Sequence, residues 1–153
     1  MVRIPFFKQE TCWTCGPASM RMVLAALGIK KSEKQVVKLL SANKVRGTWA
    51  KSFPSLAEKY KLNYLVKRNA SIEELRKLLK EGYIVLTAYY VPKEKVDHYV
   101  VVKKIDKEYI HFLDPFYGPE HKYKLTYFRK IWKTDPKYDS EIGWFIGFKK
   151  VKN

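Results

Sequence analysis

The sequence is poor in several features that would mark it. Two cysteines in 153 residues are too few for the disulfide framework of a small secreted domain, so each must be judged alone. No stretch approaches the ~18 uninterrupted apolar residues of a membrane helix; Arg21 breaks the longest comparable run. Residues 1–9 hold neither an apolar core nor a small-residue cleavage site, so no signal peptide is read there and a cytoplasmic protein is expected. No Gly/Ser linker, internal repeat or glycine-rich phosphate loop is present. Acidic residues are scarce, 15 against 31 Lys+Arg, which leaves a net charge of +16. Arginine is scarce too, at six of the 31 cations, although it is the residue that grips phosphates and guanines bidentately. The lysines run from Lys8 to Lys152, with modest pairs at Lys30-Lys31, Lys103-Lys104 and Lys149-Lys150. That spread suits a solvated, ion-paired surface better than a nucleic-acid groove.

What is present suffices for a core. The hydrophobic fraction is 46%, and a chain of this size buries roughly 68–70% of its unfolded surface. One domain spanning 1–153 is expected. Apolar residues recur at helical spacing over Cys15–Ala26, with Gly28 as a stop. Ser32 with Gln35 and Ser71 with Glu74 are capping boxes, opening helices that reach about 41 and Gly82. Pro54 fits the first turn of a short helix over 54–60. Strand-forming residues then dominate 83–90, 96–104, 108–114 and 143–149, with a shorter strand at 64–67 and a helix at 125–132. Helices first and strands later predict an α+β fold, N-terminal helices packed on a mostly antiparallel C-terminal sheet.

The chemistry concentrates in residues 9–17. Cys15 falls at the start of the first helix, where unsatisfied N–H groups and the helix dipole stabilise a thiolate. Position alone leaves two readings open, a nucleophile or an inert core thiol. A nucleophile needs a base, and His98 opens a strong strand while Asp114 closes the next. An odd-length loop at 105–107 sets His98 opposite Asp114, and one at 106–108 makes them diagonal neighbours; both put the two side chains on one face. A two-residue loop would put them on opposite faces. Val100, Val102, Ile110 and Phe112 share the face and would shield the pair. The alternatives are a core histidine and the end of an Asp-Pro turn.

Gln9 six positions before Cys15, Cys15-Gly16-Pro17 opening a helix, His98 leading an apolar strand and Asp114-Pro115 sixteen positions later form an ordered pattern. From Ile4 to about Phe148 it resembles the C39-type cysteine peptidases of the papain-like superfamily. The resemblance implies a papain-like fold and a peptidase or related amide hydrolase, with Cys15 as nucleophile, His98 as base, Asp114 as its orienter and Gln9 helping to form the oxyanion hole. The best-known members of that family are N-terminal domains of peptide-exporting transporters that cut leader peptides after a double glycine; no transporter segment is read here, and a free-standing domain is expected.

Other residues carry weaker signals. Cys12 completes Cys12-Trp13-Thr14-Cys15, but no strand or βα pattern precedes it as in thiol oxidoreductases. A reversible Cys12–Cys15 disulfide that switches the nucleophile off is the regulatory reading, and a loop thiol without a role is the plain one. A zinc site made by the C-x-x-C pair with two of His98, His111 and His121 lacks paired His spacing, so no metal and no cofactor is expected. Trp13 and Tyr117 are candidate cleft residues, with the Tyr89-Tyr90 pair behind them; Trp49, Trp132 and Trp144 read as core or rim aromatics. The expected partner is a peptide or protein substrate, with a Lys-rich rim favouring acidic ones. The rival is a catalytically silent papain-fold module that binds nucleic acid or anionic surfaces.

Overall fold

The computed structural model describes residues 2–135, 137 and 140–150. Helix α1 (Cys15–Ala26) ends where Gly28 takes φ 86°, so that the Gly28 and Ile29 N–H groups bond the Ala25 and Leu24 carbonyls at 3.0 and 2.8 Å. Helix α2 (Glu33–Leu40) starts on the expected box, with the Gln35 N–H donating to Ser32 Oγ and the Ser32 N–H donating to Gln35 Oε1. Helix α3 (Ser52–Lys59) begins two residues before Pro54, so the proline occupies a first-turn position that needs no N–H. The Ser71–Glu74 box opens α4 (Ile72–Lys80), and α5 (Leu125–Ile131) follows the sheet's main hairpins.

Among the described residues six strands form one sheet: β1 (Asn63–Lys67), β2 (Ile84–Val91), β3 (Val96–Ile105), β4 (Tyr109–Asp114), β5 (Gly118–Lys124) and β6 (Phe145–Lys149). Their order is β1-β6-β2-β3-β4-β5, with every pairing antiparallel. The expected α+β architecture is therefore the one adopted, with a difference in layering. Helices α1–α3 cover one face, packing Met20, Leu24, Val36 and Phe53 with Leu86, Val101 and Ile146. Helices α4 and α5 cover the other, packing Leu75 and Phe128 with Val85, Val100, Phe112 and Phe145. Each such side chain contributes about 1.5–3 kcal/mol on full burial. Strand β5 has no counterpart in the sequence reading. It is an edge strand of sequence Gly-Pro-Glu-His-Lys-Tyr-Lys, mostly exposed, and carries the proline and lysines that discourage further pairing. Among the described residues no helix is long and apolar enough to cross a membrane.

One detail of the β3–β4 hairpin positions the site. At its tip Ile105 faces Ile110 and Lys104 faces His111, and the Asp106 N–H donates to the Tyr109 carbonyl at 2.9 Å. This is the register of a two-residue connection, Lys107-Glu108, held by Asp106 Oδ1, which accepts the Glu108 and Tyr109 N–H groups at 2.9 and 2.7 Å. The expected odd-length loop is thus not what forms, and this register alone would separate His98 and Asp114 onto opposite faces. A β-bulge corrects it: the ladder shifts between Val102 and Lys104, leaving Lys103 as the extra residue. Beyond it Val102 faces Phe112 and Val101 faces Leu113, so Asp114 becomes a diagonal neighbour of His98 on one face.

Candidate active site

Cys15 is the first residue of α1, and no side chain caps that helix. The Thr14 hydroxyl is occupied elsewhere, within 2.8 Å of Thr11 Oγ1 and 3.1 Å of the Thr11 carbonyl. Pro17 has no N–H, so the Cys15 and Gly16 amides are the donors left at this helix start. Gly16 is required by crowding: a Cβ there would lie 2.5 Å from Thr48 Oγ1 and 2.8 Å from Thr48 Cβ. Thr48 is held in turn by Tyr99, whose hydroxyl donates to its carbonyl at 2.9 Å.

His98 and Asp114 meet as their shared face requires. His98 Nε2 lies 2.6 Å from Asp114 Oδ1, with His98 7% and Asp114 0% exposed. The carboxylate is satisfied on both oxygens. Oδ1 also accepts the Phe116 and Tyr117 N–H groups at 2.9 Å each, and Oδ2 accepts the Tyr89 hydroxyl at 2.8 Å. The two N–H bonds come from the Asp-Pro turn itself, because Asp114 pairs with Gly118 across the three-residue loop 115–117 and Gly118 takes φ 109°.

Electrostatics follow from this cage. Burial disfavours a charged His98, but hydrogen bonds to Asp114 and Cys15 and the attraction of both outweigh burial and push its pKa up to about 10. Burial likewise opposes the charge on Asp114, yet His98, the Tyr117 N–H and the Tyr89 hydroxyl hold its carboxyl below the ordinary range. Burial first, and the Asp114 charge second, push the Tyr89 phenol well up, so that it stays a donor. With Nε2 committed to Asp114, Nδ1 is the ring nitrogen left for the Cys15 thiol.

Gln9 is nearly buried and tied to the same turn, its N–H donating to the Pro115 carbonyl at 2.9 Å. Its side-chain Nε2 donates to the Thr11 carbonyl at 2.7 Å. A flipped amide would set oxygen against oxygen there, so the NH₂ orientation is fixed and its second hydrogen stays available.

The remaining candidates divide. Tyr117 and Phe116 are 44% and 50% exposed, with ring centroids 5.9 and 6.2 Å from that of His98. Phe116 was not picked out from the sequence, although it sits between Asp114 and Tyr117. Tyr89 is fully buried against Asp114 and cannot touch a substrate, which replaces its reading as a cleft residue. Trp13 is half-buried beside Cys15, and Cys12 is an exposed free thiol in the preceding turn. His111 bonds Asp106 at 2.7 Å, and His121 stacks on Tyr117 at 4.7 Å. Among the described residues no group of three His, Cys, Asp or Glu is placed to hold a metal ion. Trp132 and Trp144 are core, whereas Trp49 is a rim residue, its ring lying 4.3 Å from the Arg46 guanidinium and 4.2 Å from Lys51 Nζ.

Comparison with known proteins gives the family and the fold. The model of the Peptidase_C39 like family matches residues 1–140. Among solved structures, the peptidase domain of Streptococcus ComA, a bi-functional ABC transporter involved in a quorum sensing pathway, superposes with a TM-score of 0.77 at 19% identity, covering 97% of this chain and 100% of that one. A double glycine motif protease from an AMS/PCAT transporter, in complex with its leader peptide, gives 0.76 at 24% identity, covering 98% and 94%. A Bacillus anthracis protein described as C39-like gives 0.74 at 16% identity, covering 100% and 98%. No curated protein matches the chain.

Proposed function

The chain belongs to the Peptidase_C39 like family, and on that footing we propose that it is a cysteine peptidase in which Cys15, His98 and Asp114 act as a triad and Gln9 completes the oxyanion hole. The observation that carries the reading is the fully bonded, fully buried Asp114 carboxylate beneath His98. A core histidine has no need of a carboxylate so completely caged.

The geometry supports a sequence of steps. Cys15 Sγ attacks the peptide carbonyl carbon, and the C=O π pair moves onto oxygen. The Cys15 N–H and the spare Gln9 Nε2–H stabilise that oxyanion; losing one such donor typically costs ~10²–10³ in rate. His98, charged at neutral pH, protonates the leaving amine as the C–N bond breaks and a thioester remains. His98 then takes a proton from water as the hydroxide attacks the thioester, and the tetrahedral intermediate collapses to the carboxylic acid and the Cys15 thiolate, leaving His98 protonated as at the start. Asp114 keeps its charge throughout and holds the ring in place.

A peptide substrate is supported by the leader peptide bound to the related transporter protease. The surroundings favour one with apolar and acidic side chains. Phe116 and Tyr117 flank His98, and Trp49 follows Thr48, which packs on Gly16, with Arg46 and Lys51 against its ring. The test is labelling with an electrophilic cysteine probe across wild type, Cys15→Ser, Cys12→Ser and His98→Ala. Labelling at Cys15 should persist in Cys12→Ser and fall by about tenfold or more in His98→Ala. Equal, His98-independent labelling of both thiols would overturn the reading.

A further inference from the structure

Three successive backbone N–H groups ahead of Cys15 are each tied to a different part of the molecule. Gln9 N–H bonds the Pro115 carbonyl (2.9 Å), Glu10 N–H bonds Glu33 Oε1 (3.0 Å), and Thr11 N–H bonds Thr14 Oγ1 (3.1 Å). The first anchor belongs to the Asp-Pro turn and the third to the start of α1. The middle one is a side chain, and an unusual one: Glu33 opens α2 and is a carboxylate only 3% exposed. Its acidity reflects the setting, since burial raises its pKa against the opposing Glu10 N–H and Thr14. Arg21 of α1 braces the same segment, its guanidinium 3.9 Å from the Phe7 ring and 3.9 Å from Glu10 Oε2, with Nε donating to the Lys31 carbonyl at 2.9 Å. A buried carboxylate is costly unless its bonds are made, and the bond made here fixes the residue between Gln9 and Thr11. Those two residues set the Gln9 side chain, one through its backbone and the other through the carbonyl that orients its amide.

We propose that Glu33 is a positioning residue for the oxyanion hole: from α2, outside the triad, it fixes the 9–11 segment and so the Gln9 donor. The proposal rests on the triad reading above. Its consequence is selective. Acyl transfer to Cys15 passes through an oxyanion and depends on Gln9, whereas alkylation of the thiolate does not. Displacing Glu33 should slow the first and spare the second.

The experiment compares two rates in a Cys12→Ser background: Cys15 acylation by p-nitrophenyl acetate, with Cys15→Ser as the subtracted blank, and Cys15 alkylation by iodoacetamide, followed by peptide mass. Glu33→Ala and Glu33→Asp, the latter one methylene too short to reach, should lower acylation by about tenfold with alkylation within about twofold, a part of the loss expected for a whole donor. Glu33→Gln keeps the acceptor oxygen and should restore acylation to near the wild-type rate. If Glu33→Ala does not fold by circular dichroism, Glu33→Asp and Glu33→Gln carry the comparison. Parallel changes in both rates would make Glu33 merely structural and overturn the proposal while leaving the triad standing. An absent Cys15-dependent burst in the parent would overturn both.

Discussion

Asp114→Asn isolates the charge of the proposed triad with little change of shape. The asparagine oxygen can keep the Phe116 and Tyr117 N–H bonds at 2.9 Å, and its NH₂ can turn to the Tyr89 hydroxyl, so the cage survives in outline. What is lost is the negative partner 2.6 Å from His98 Nε2. Removing one member of a buried ion pair costs about 3–5 kcal/mol, which for a chain of this size lowers Tm by roughly 6–20 °C. The volume-conserving change belongs at the lower end. The pH dependence carries the sharper signature. His98 has a folded pKa near 10 against an ordinary 6.5, so its stabilising contribution is complete below about 6.5 and is lost as pH rises through about 10. Asp114 is depressed, so its contribution is complete above its ordinary 3.8 and is lost as pH falls through its folded value. Wild-type stability minus that of Asp114→Asn should therefore form a plateau between these limits and shrink at both ends. Titration of lysines and of tyrosines remote from Asp114 cancels in the difference, whereas Tyr89, Tyr117 and Tyr123, which the Asp114 charge helps to push up, add to the alkaline shrinkage. Urea unfolding at closely spaced pH values measures it. A difference below about 1 kcal/mol, the scale of a surface pair, and flat across the alkaline limb would refute the buried imidazolium–carboxylate pair.

Two further perturbations test the supports of the site. Tyr89→Phe removes the donor to Asp114 Oδ2 and should cost about 1.5–3 kcal/mol, the scale of a hydrogen bond to a charged group. Because that bond helps to depress Asp114, the acid unfolding midpoint should move to higher pH; an unchanged midpoint would deny the bond its role. Gly16→Ala would gain up to about 0.8–1 kcal/mol from helix propensity alone. Its Cβ, 2.5 Å from Thr48 Oγ1, should instead make the change destabilising by about 1–3 kcal/mol. A higher Tm on calorimetry would show that Thr48 moves aside freely.

The helices were readable because their ends are written locally. The two Ser-x-x-Gln/Glu boxes and Gly28 needed no tertiary partner to act, and the structure forms them as expected. The strands from β2 to β4 were readable from their β-branched and aromatic runs. Strand β5 was not, because an edge strand exposed along most of its length has little apolar alternation to display. The pairing of His98 with Asp114 was foreseeable in outcome but not in route. A bulge is one residue without a compositional mark, and Lys103 looks like any surface lysine. Tyr89 was misread for a related reason: the hydroxyl that makes tyrosine look like a contact residue is here the donor to a buried carboxylate two strands away, on the far side of β3. Glu33 stood in plain view as the first acidic residue of a capped helix, and only the fold reveals what lies over it.

The bulge at Lys103 also divides the β3–β4 hairpin into two parts that can vary independently. On the site side, parity is fixed by the need for His98 and Asp114 to share a face. On the tip side, an even connection of any composition is compatible with it, since the bulge absorbs the odd step. A graft that replaces Lys107-Glu108 with another even turn should leave the site untouched, whereas an odd turn would have to be accompanied by loss of Lys103. Deleting Lys103 alone would retain Cys15, His98 and Asp114 in the chain and yet set His98 and Asp114 on opposite faces, so that an alignment would record the proposed triad as intact in a molecule that lacks it.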